Sequence, residues 1–219
     1  MLSGLMLTVS IYKQYGHCQY VGMASKKTDR YHHGALREAL LAEAMKILDA
    51  EGVDAVTIRA VAREAGVSHT APANHFASRS ALLTALATAA FRQVDAAVAQ
   101  RLRSTRAQRR DRIRVFADEL LAFGLKHPQR YRLMWRRDLL EEDAELQAAM
   151  DGLYDQLIAE LQAQAGKPKI SAHTLAVALW SMTHGYVLMR LDGNFEERRD
   201  ELTGAPRFQA MVELVLAGA

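Results

Sequence analysis

TIRAVAREAGVSHTAPANHF, Thr57 to Phe76, is the stretch on which the fold turns. Ile58, Val61, Ala62 and Ala65 recur at the period of one helix face, and Gly66-Val67 then interrupts the pattern. Thr57 suits an N-cap, because its hydroxyl can accept a hydrogen bond from an otherwise unpaired N–H of the first turn. Gly66 stands where the helix must stop and the chain reverse, a place for the left-handed backbone that glycine adopts without steric cost. Val67 is positioned to plug between two helices. Ser68 can cap a second one running through His69, Thr70, Ala71, Pro72, Ala73, Asn74, His75 and Phe76. The outward residues of that helix would be His69, Thr70, Ala73 and Asn74, short or polar groups able to enter a major groove. The spacing predicts a helix-turn-helix.

The rest of the chain supports a helical frame for this motif. Half of the 219 residues are hydrophobic, enough for a sizeable core. The net charge of +3 is too small to point to nucleic acid by itself, but it is unevenly spread. Residues 1–112 hold 16 Lys/Arg against 9 Asp/Glu, and residues 113–219 hold 12 against 16, so a basic amino-terminal half faces an acidic remainder. The single cysteine, Cys18, has no partner in the chain, which fits a reducing cytoplasm.

Residues 1–22 lack the basic start and clean cleavage site of a signal peptide and are expected to form a tail; Met23 is an alternative start. Lys26, Lys27 and Arg30 make a basic arm. Helical periodicity then runs from Gly34 to Glu51 and stops at Gly52. Ser78 caps a long helix towards Leu102, a further helix spans about 107–126 before His127-Pro128, and a short one spans Gln129 to Arg137. Helices over about 144–165, 170–189 and 206–216 complete the set, with Gly166 to Lys169 as a break. No stretch alternates convincingly, so the chain reads as all-α. Residues 170–189 contain no Asp, Glu, Lys or Arg. That is membrane-span length, but Ser171, His173, Thr174, Ser181, Thr183 and His184 argue against a span and for a helix buried on both sides. Leu175, Leu179, Met182, Tyr186 and Met189 form one stripe of it, and Trp180, His184, Val187 and Leu191 a second. One stripe is expected on the chain's own core and the other, with residues 206–216, on a partner subunit.

YHHGALREALLAEAMKILDAEG followed by VTIRAVAREAGVSHTAPANHFASRSALLTAL resembles the amino-terminal DNA-binding domain of the TetR family of bacterial transcriptional regulators, without a gap over about residues 31–90. Trp180 to Gly185, WSMTHG, resembles the carboxy-terminal type named for its Trp, His and Gly. The resemblance implies a three-helix helix-turn-helix domain over 31–80 after an extension over 1–30. A larger antiparallel helical domain for ligand binding and dimerisation would then cover 81–219. It implies a cytoplasmic, non-membrane homodimer that binds a palindromic double-stranded operator, usually as a repressor, and is released by a small-molecule effector, with no cofactor or metal. Carried over by position, Thr57 and Arg59 meet phosphate, Ser68 opens the reading helix, His69, Thr70 and Asn74 read bases, and His75, Ser78 and Arg79 contact the backbone. The family's usual tyrosine is Ala73 here, so one phosphate hydrogen bond of about 1 kcal/mol is lost. Phe116, Phe123, Met134, Trp135, Trp180 and His184 are the candidate pocket residues.

Four points stay open beside this reading. The seven arginines between Arg101 and Arg114 are either a solvated charge run or a site for an acidic ligand or extra DNA contact. His184 is either a packed histidine or a ligand contact. An activator is the alternative to a repressor, and an all-α enzyme is the competing class. For the enzyme the sequence offers no HExxH, CxxC, GxSxG or Gly-rich phosphate loop.

Overall fold

The computed structural model describes residues 29–104, 109–163 and 170–217. Cys18, Lys26, Lys27, the Arg30 side chain, Arg106 and the Gly166 to Lys169 break lie outside that description. The chain divides into two units, residues 1–38 and 39–219. The first contributes the start of α1 (Asp29–Glu51), and everything below concerns the second.

The described elements are helical, as the periodicity requires. After α1 come α2 (Ile58–Glu64), α3 (Arg79–Ser104), α4 (Arg109–Lys126), α5 (Pro128–Met134), α6 (Ala144–Gln162), α7 (Ala172–Leu191) and α8 (Arg207–Ala217). A single isolated bridge, Arg199 to Pro206, is the one extended pairing among the described residues. Side-chain oxygens cap the starts: Ser78 accepts from the Ala81 N–H as expected, and Asp143 accepts from Leu146 and Ser171 from Thr174, two caps that the sequence reading did not single out. Pro128 opens α5, where a missing N–H costs nothing. This helix ends at Met134, short of the predicted Arg137, because the chain turns there through Arg136 N–H to Leu133 C=O.

In the carboxy-terminal half α3 packs on α4, α5 and α6, and α7 packs on α4, α6 and α8. Among the described residues α3 is long and apolar enough to cross a membrane by length and composition, but more than half of that stretch is buried in the fold, as in a core helix. Gly124 shows how tightly α4 and α7 meet. A Cβ there would lie 2.5 Å from Val187 Cγ1 and 3.2 Å from the Tyr131 ring, and Val187 is fully buried with a β-branched side chain that has little room to turn.

Three arginines of the run tie helices together. Arg101 reaches Glu119 at 2.7 Å, joining α3 to α4, and Arg112 grips both oxygens of Glu160 at 2.8 and 2.5 Å, joining α4 to α6. Arg114 pairs with Glu213 of α8 and, at 2.8 Å, with Asp111. Bidentate guanidinium–carboxylate pairs fix orientation as well as charge. These three arginines therefore have structural work, which neither sequence reading foresaw.

The two predicted stripes of α7 also need correction. Trp180 and His184 turn inward against Trp135, at ring centroid distances of 5.9 and 4.8 Å. The exposed face is made instead by Thr174, Ala178, Ser181, Gly185 and Met189. Small side chains and a methionine at spacings of three and four leave this face uncharged; the one charged residue of α7 is Arg190 in its last turn.

Candidate nucleic-acid interface

The turn after α2 is built as its sequence demands. Thr57 Oγ1 accepts from the Ala60 N–H at 3.1 Å. At the other end the Val67 N–H bonds to Ala62 C=O at 3.0 Å and the Gly66 N–H to Arg63 C=O at 3.1 Å. That pair is the Schellman closure, and it requires the left-handed residue at its centre, here Gly66 with φ 66°. Val61 and Ala62 point into the core while Arg59 and Arg63 stay exposed.

The second helix of the motif is not a regular helix. Residues 68–71 form a turn, with Ala71 N–H to Ser68 C=O at 3.0 Å, and a 3-10 helix covers Pro72–Asn74. Pro72 explains this, because it has no N–H to give to Ser68 C=O, the bond an α-helix would need at that point. Ser68 does not act as the expected N-cap; its hydroxyl pairs with that of Thr70 at 3.1 Å. Pro72 and Phe76 are buried and anchor the segment. Ser68, His69, Thr70, Ala73 and Asn74 are exposed and His75 is half-buried.

The candidate backbone contacts sit at the start of α3. Arg79 Nε donates to Val56 C=O at 2.7 Å and Nη2 to Val53 C=O at 2.6 Å, so its guanidinium clamps the turn that leads into α2. Two of its five N–H donors are used in these bonds. Ser78 donates to Glu141, whose own N–H bonds to Thr84 Oγ1 at 2.9 Å. Arg130 at the start of α5 grips both oxygens of Asp49 near the end of α1, at 2.8 and 2.5 Å, and also holds Gln93 of α3 at 2.9 Å. The end of α1 is thereby tied to α5, and the start of α3 to the turn before α2 and to Glu141.

Of the candidate pocket residues, Phe116 and Trp180 line an apolar void together with Val94, Ala117, Leu120, Leu153, Leu157, Leu179 and Thr183. Trp135 and His184 adjoin it through the Trp180 contact, whereas Phe123 packs on His127 and Met134 is sealed in the core. A second groove, of charged character, runs past Arg101, Arg114, Asp118 and Glu213, whose opposite charges pair across it. Among the described residues no cluster of His, Cys, Asp and Glu could hold a metal.

His184 is a packed histidine with a partner: its Nδ1 lies 2.9 Å from the Tyr131 hydroxyl. Burial pulls its pKa below the ordinary histidine value. Burial pushes the Tyr131 hydroxyl up, slightly offset by the nearby Trp135 N–H, which makes no hydrogen bond of proper geometry itself. A lowered histidine pKa means that the unfolded chain takes the proton first. The stability is therefore full at neutral pH and is lost as pH falls below about 6.5 through the folded value. The melting temperature of the wild type should accordingly drop more between pH 7.5 and 5 than that of His184→Gln; parallel curves would show that His184 does not contribute.

A short capped helix, a Schellman turn and an exposed polar segment held by a buried proline and phenylalanine define a DNA-binding helix-turn-helix protein. Residues 40–86 match bacterial regulatory proteins of the tetR family, and residues 113–215 match the tetracyclin repressor-like carboxy-terminal domain. An uncharacterized HTH-type transcriptional regulator of Mycobacterium tuberculosis is 31% identical over 163 residues, 74% of this chain and 72% of that one. A structure of a protein with unknown function from Rhodococcus is 30% identical, covers 88% of this chain and 98% of its own, and superposes with a TM-score of 0.70. The TetR family regulator PfmR of Thermus thermophilus shares the fold at 22% identity, with a TM-score of 0.59 over 82% of this chain and 97% of that one. The chain belongs to the TetR family of DNA-binding transcriptional regulators, and neither matching family is catalytic.

Proposed function

We propose that this protein is a ligand-responsive repressor that binds a palindromic operator as a homodimer and leaves it when a small molecule occupies the carboxy-terminal half. The carrying observation is the exposure of Thr57, Arg59, Ser68, His69, Thr70 and Asn74 within one anchored stretch of twenty residues. Thr57 and Arg59 serve phosphate, His69, Thr70 and Asn74 serve base edges, and His75, Ser78 and Arg79 support the backbone side. Functionally the division falls at 1–30, 31–80 and 81–219, and the target places the protein in the cytoplasm. Trp180, His184 and Gly185 favour the Trp-His-Gly type for the carboxy-terminal half, since the first two both pack on Trp135.

Dimerisation is supported by the uncharged exposed face of α7 and by Leu214 of α8, which is 75% exposed. A two-fold partner would cover both. Two reading segments then meet half-sites about one helical turn of DNA apart. An effector shifts DNA affinity only by its differential affinity for the fitting and non-fitting states.

Selection of genomic fragments by the purified protein tests the reading. It should retain one palindromic sequence at physiological salt, and Asn74→Ala should relax preference at particular base pairs by about 1–3 kcal/mol each. Equal loss on all sequences would remove Asn74 from the base readers, and retention of every fragment alike would remove sequence specificity.

A further inference from the structure

We infer that Glu141 stands in for a DNA phosphate at the start of α3: its carboxylate takes the one proton that Ser78 has to donate, so Ser78 contacts DNA only by exchanging an internal anion for an external one. The inference rests on the reading of Ser78 as a backbone contact and adds the residue that opposes it.

A serine hydroxyl has one proton to donate and two lone pairs with which to accept. At Ser78 the proton goes to Glu141 Oε1, and the oxygen accepts the Ala81 N–H at 2.8 Å, the bond that caps α3. What is left is a lone pair, and a phosphate oxygen, which only accepts, has no use for it. Ser78 therefore reaches a phosphate only after it leaves Glu141.

Glu141 is held in place at two points. It belongs to the stretch between α5 and α6, and its own N–H bonds to Thr84 Oγ1 at 2.9 Å. Thr84 is 3% exposed, so the backbone of Glu141 is pinned to the buried side of α3 while its carboxylate reaches back to the helix start. The start of a helix of 26 residues favours a negative charge. A carboxylate and a phosphate carry the same sign there, and both at once repel. Arg79, the next residue, binds the Val53 and Val56 carbonyls at 2.6 and 2.7 Å, which sets the start of α3 beside the turn that leads to Thr57 and Arg59. The Glu141 carboxylate thus stands at the edge of the proposed DNA face. The residue is exposed, so its side chain has room to swing into solvent when DNA arrives.

The exchange fixes what each substitution should do. In the wild type one charge-assisted bond is lost as another forms, so Ser78 adds little net affinity. Glu141→Gln leaves only a neutral bond to break, about half as strong, and removes the repulsion.

The full-length protein is titrated at physiological salt with two duplexes, one recovered in the fragment selection and one of the same composition in shuffled order. Glu141→Gln should tighten binding about fivefold or more on both, because phosphate contacts carry no sequence. Without DNA the same variant should melt about 2–4 °C lower, having weakened the bond at the start of α3. Ser78→Ala should change wild-type affinity less than about twofold, yet cost about fivefold in the Glu141→Gln background. The lost cap of Ala81 lowers stability alike in both backgrounds and cancels from that comparison. Unchanged or weaker binding by Glu141→Gln would overturn the inference and leave Glu141 as a strut. A gain confined to one duplex would overturn it too, as would a gain of the same size with and without Ser78, the mark of a remote charge. Wild-type protein that binds neither duplex removes the DNA reading and the inference with it. Binding by the wild type without the gain removes the inference alone.

Discussion

Leu214→Glu is expected to turn the protein from dimer to monomer at concentrations where the wild type is fully paired. Leu214 lies on α8 with three-quarters of its surface bare, and α8 packs on α7, whose exposed face carries no charge. A two-fold interface contains every substitution twice. Two carboxylates placed in an apolar contact without partners cost several kcal/mol together, and about 4 kcal/mol corresponds to roughly a thousandfold in the dissociation constant. Sedimentation velocity reads the change directly. Operator retention should collapse with it, since a lone reading segment meets only one half-site, while the helical circular dichroism stays that of the wild type. A dimer that survives the substitution would place the interface away from α7 and α8.

Phe91→Ala is the second large effect, and it acts on stability. Phe91 is 1% exposed on α3, the helix that packs on α4, α5 and α6, and its ring meets Trp135 edge-on at 5.4 Å. Truncating a buried phenylalanine removes its transfer free energy and leaves a cavity, together about 3–5 kcal/mol. Domains of this kind hold about 5–15 kcal/mol in total, so the urea midpoint should fall by about a fifth or more. The Trp135 emission should also change in the protein that remains folded, because one face of the indole has lost its neighbour. A loss below about 1 kcal/mol would mean that the helices around Phe91 collapse to fill the space.

Helical order was legible in the sequence where it depends on neighbours along the chain. The Thr57 cap, the Gly66 reversal and the cap at Ser78 all follow from groups acting on backbone a few residues away. The reading segment turns on a local rule as well: the sequence predicts a helix through Pro72, yet the one bond that Pro72 withholds is enough to leave residues 68–76 as turns and a 3-10 helix. What remained illegible is long-range. Nothing in the arginine run indicates that Arg112 meets Glu160 48 residues on, or Arg114 Glu213 99 residues on. The same holds for the face of α7. Its two apolar stripes look alike as sequence, and only packing on Trp135 turns Trp180 and His184 inward. Of the six candidate pocket residues, aromatic or sulphur character alone could not separate Phe116 and Trp180 from Phe123 and Met134.

The bridges from Arg130 to Asp49, from Ser78 to Glu141 and from Arg79 to the Val53 and Val56 carbonyls bear on how such proteins are rebuilt. They tie the end of α1 to α5, the start of α3 to the Glu141 turn and the turn before α2 to α3, at three separate places around the reading segment. A chimera that joins a foreign reading head at residue 80 would keep Arg130 and Glu141 but forfeit Asp49, Ser78 and Arg79, stranding charges that were built to be shared. Portable specificity in this scaffold therefore means transplanting the contacts together with the letters that read DNA.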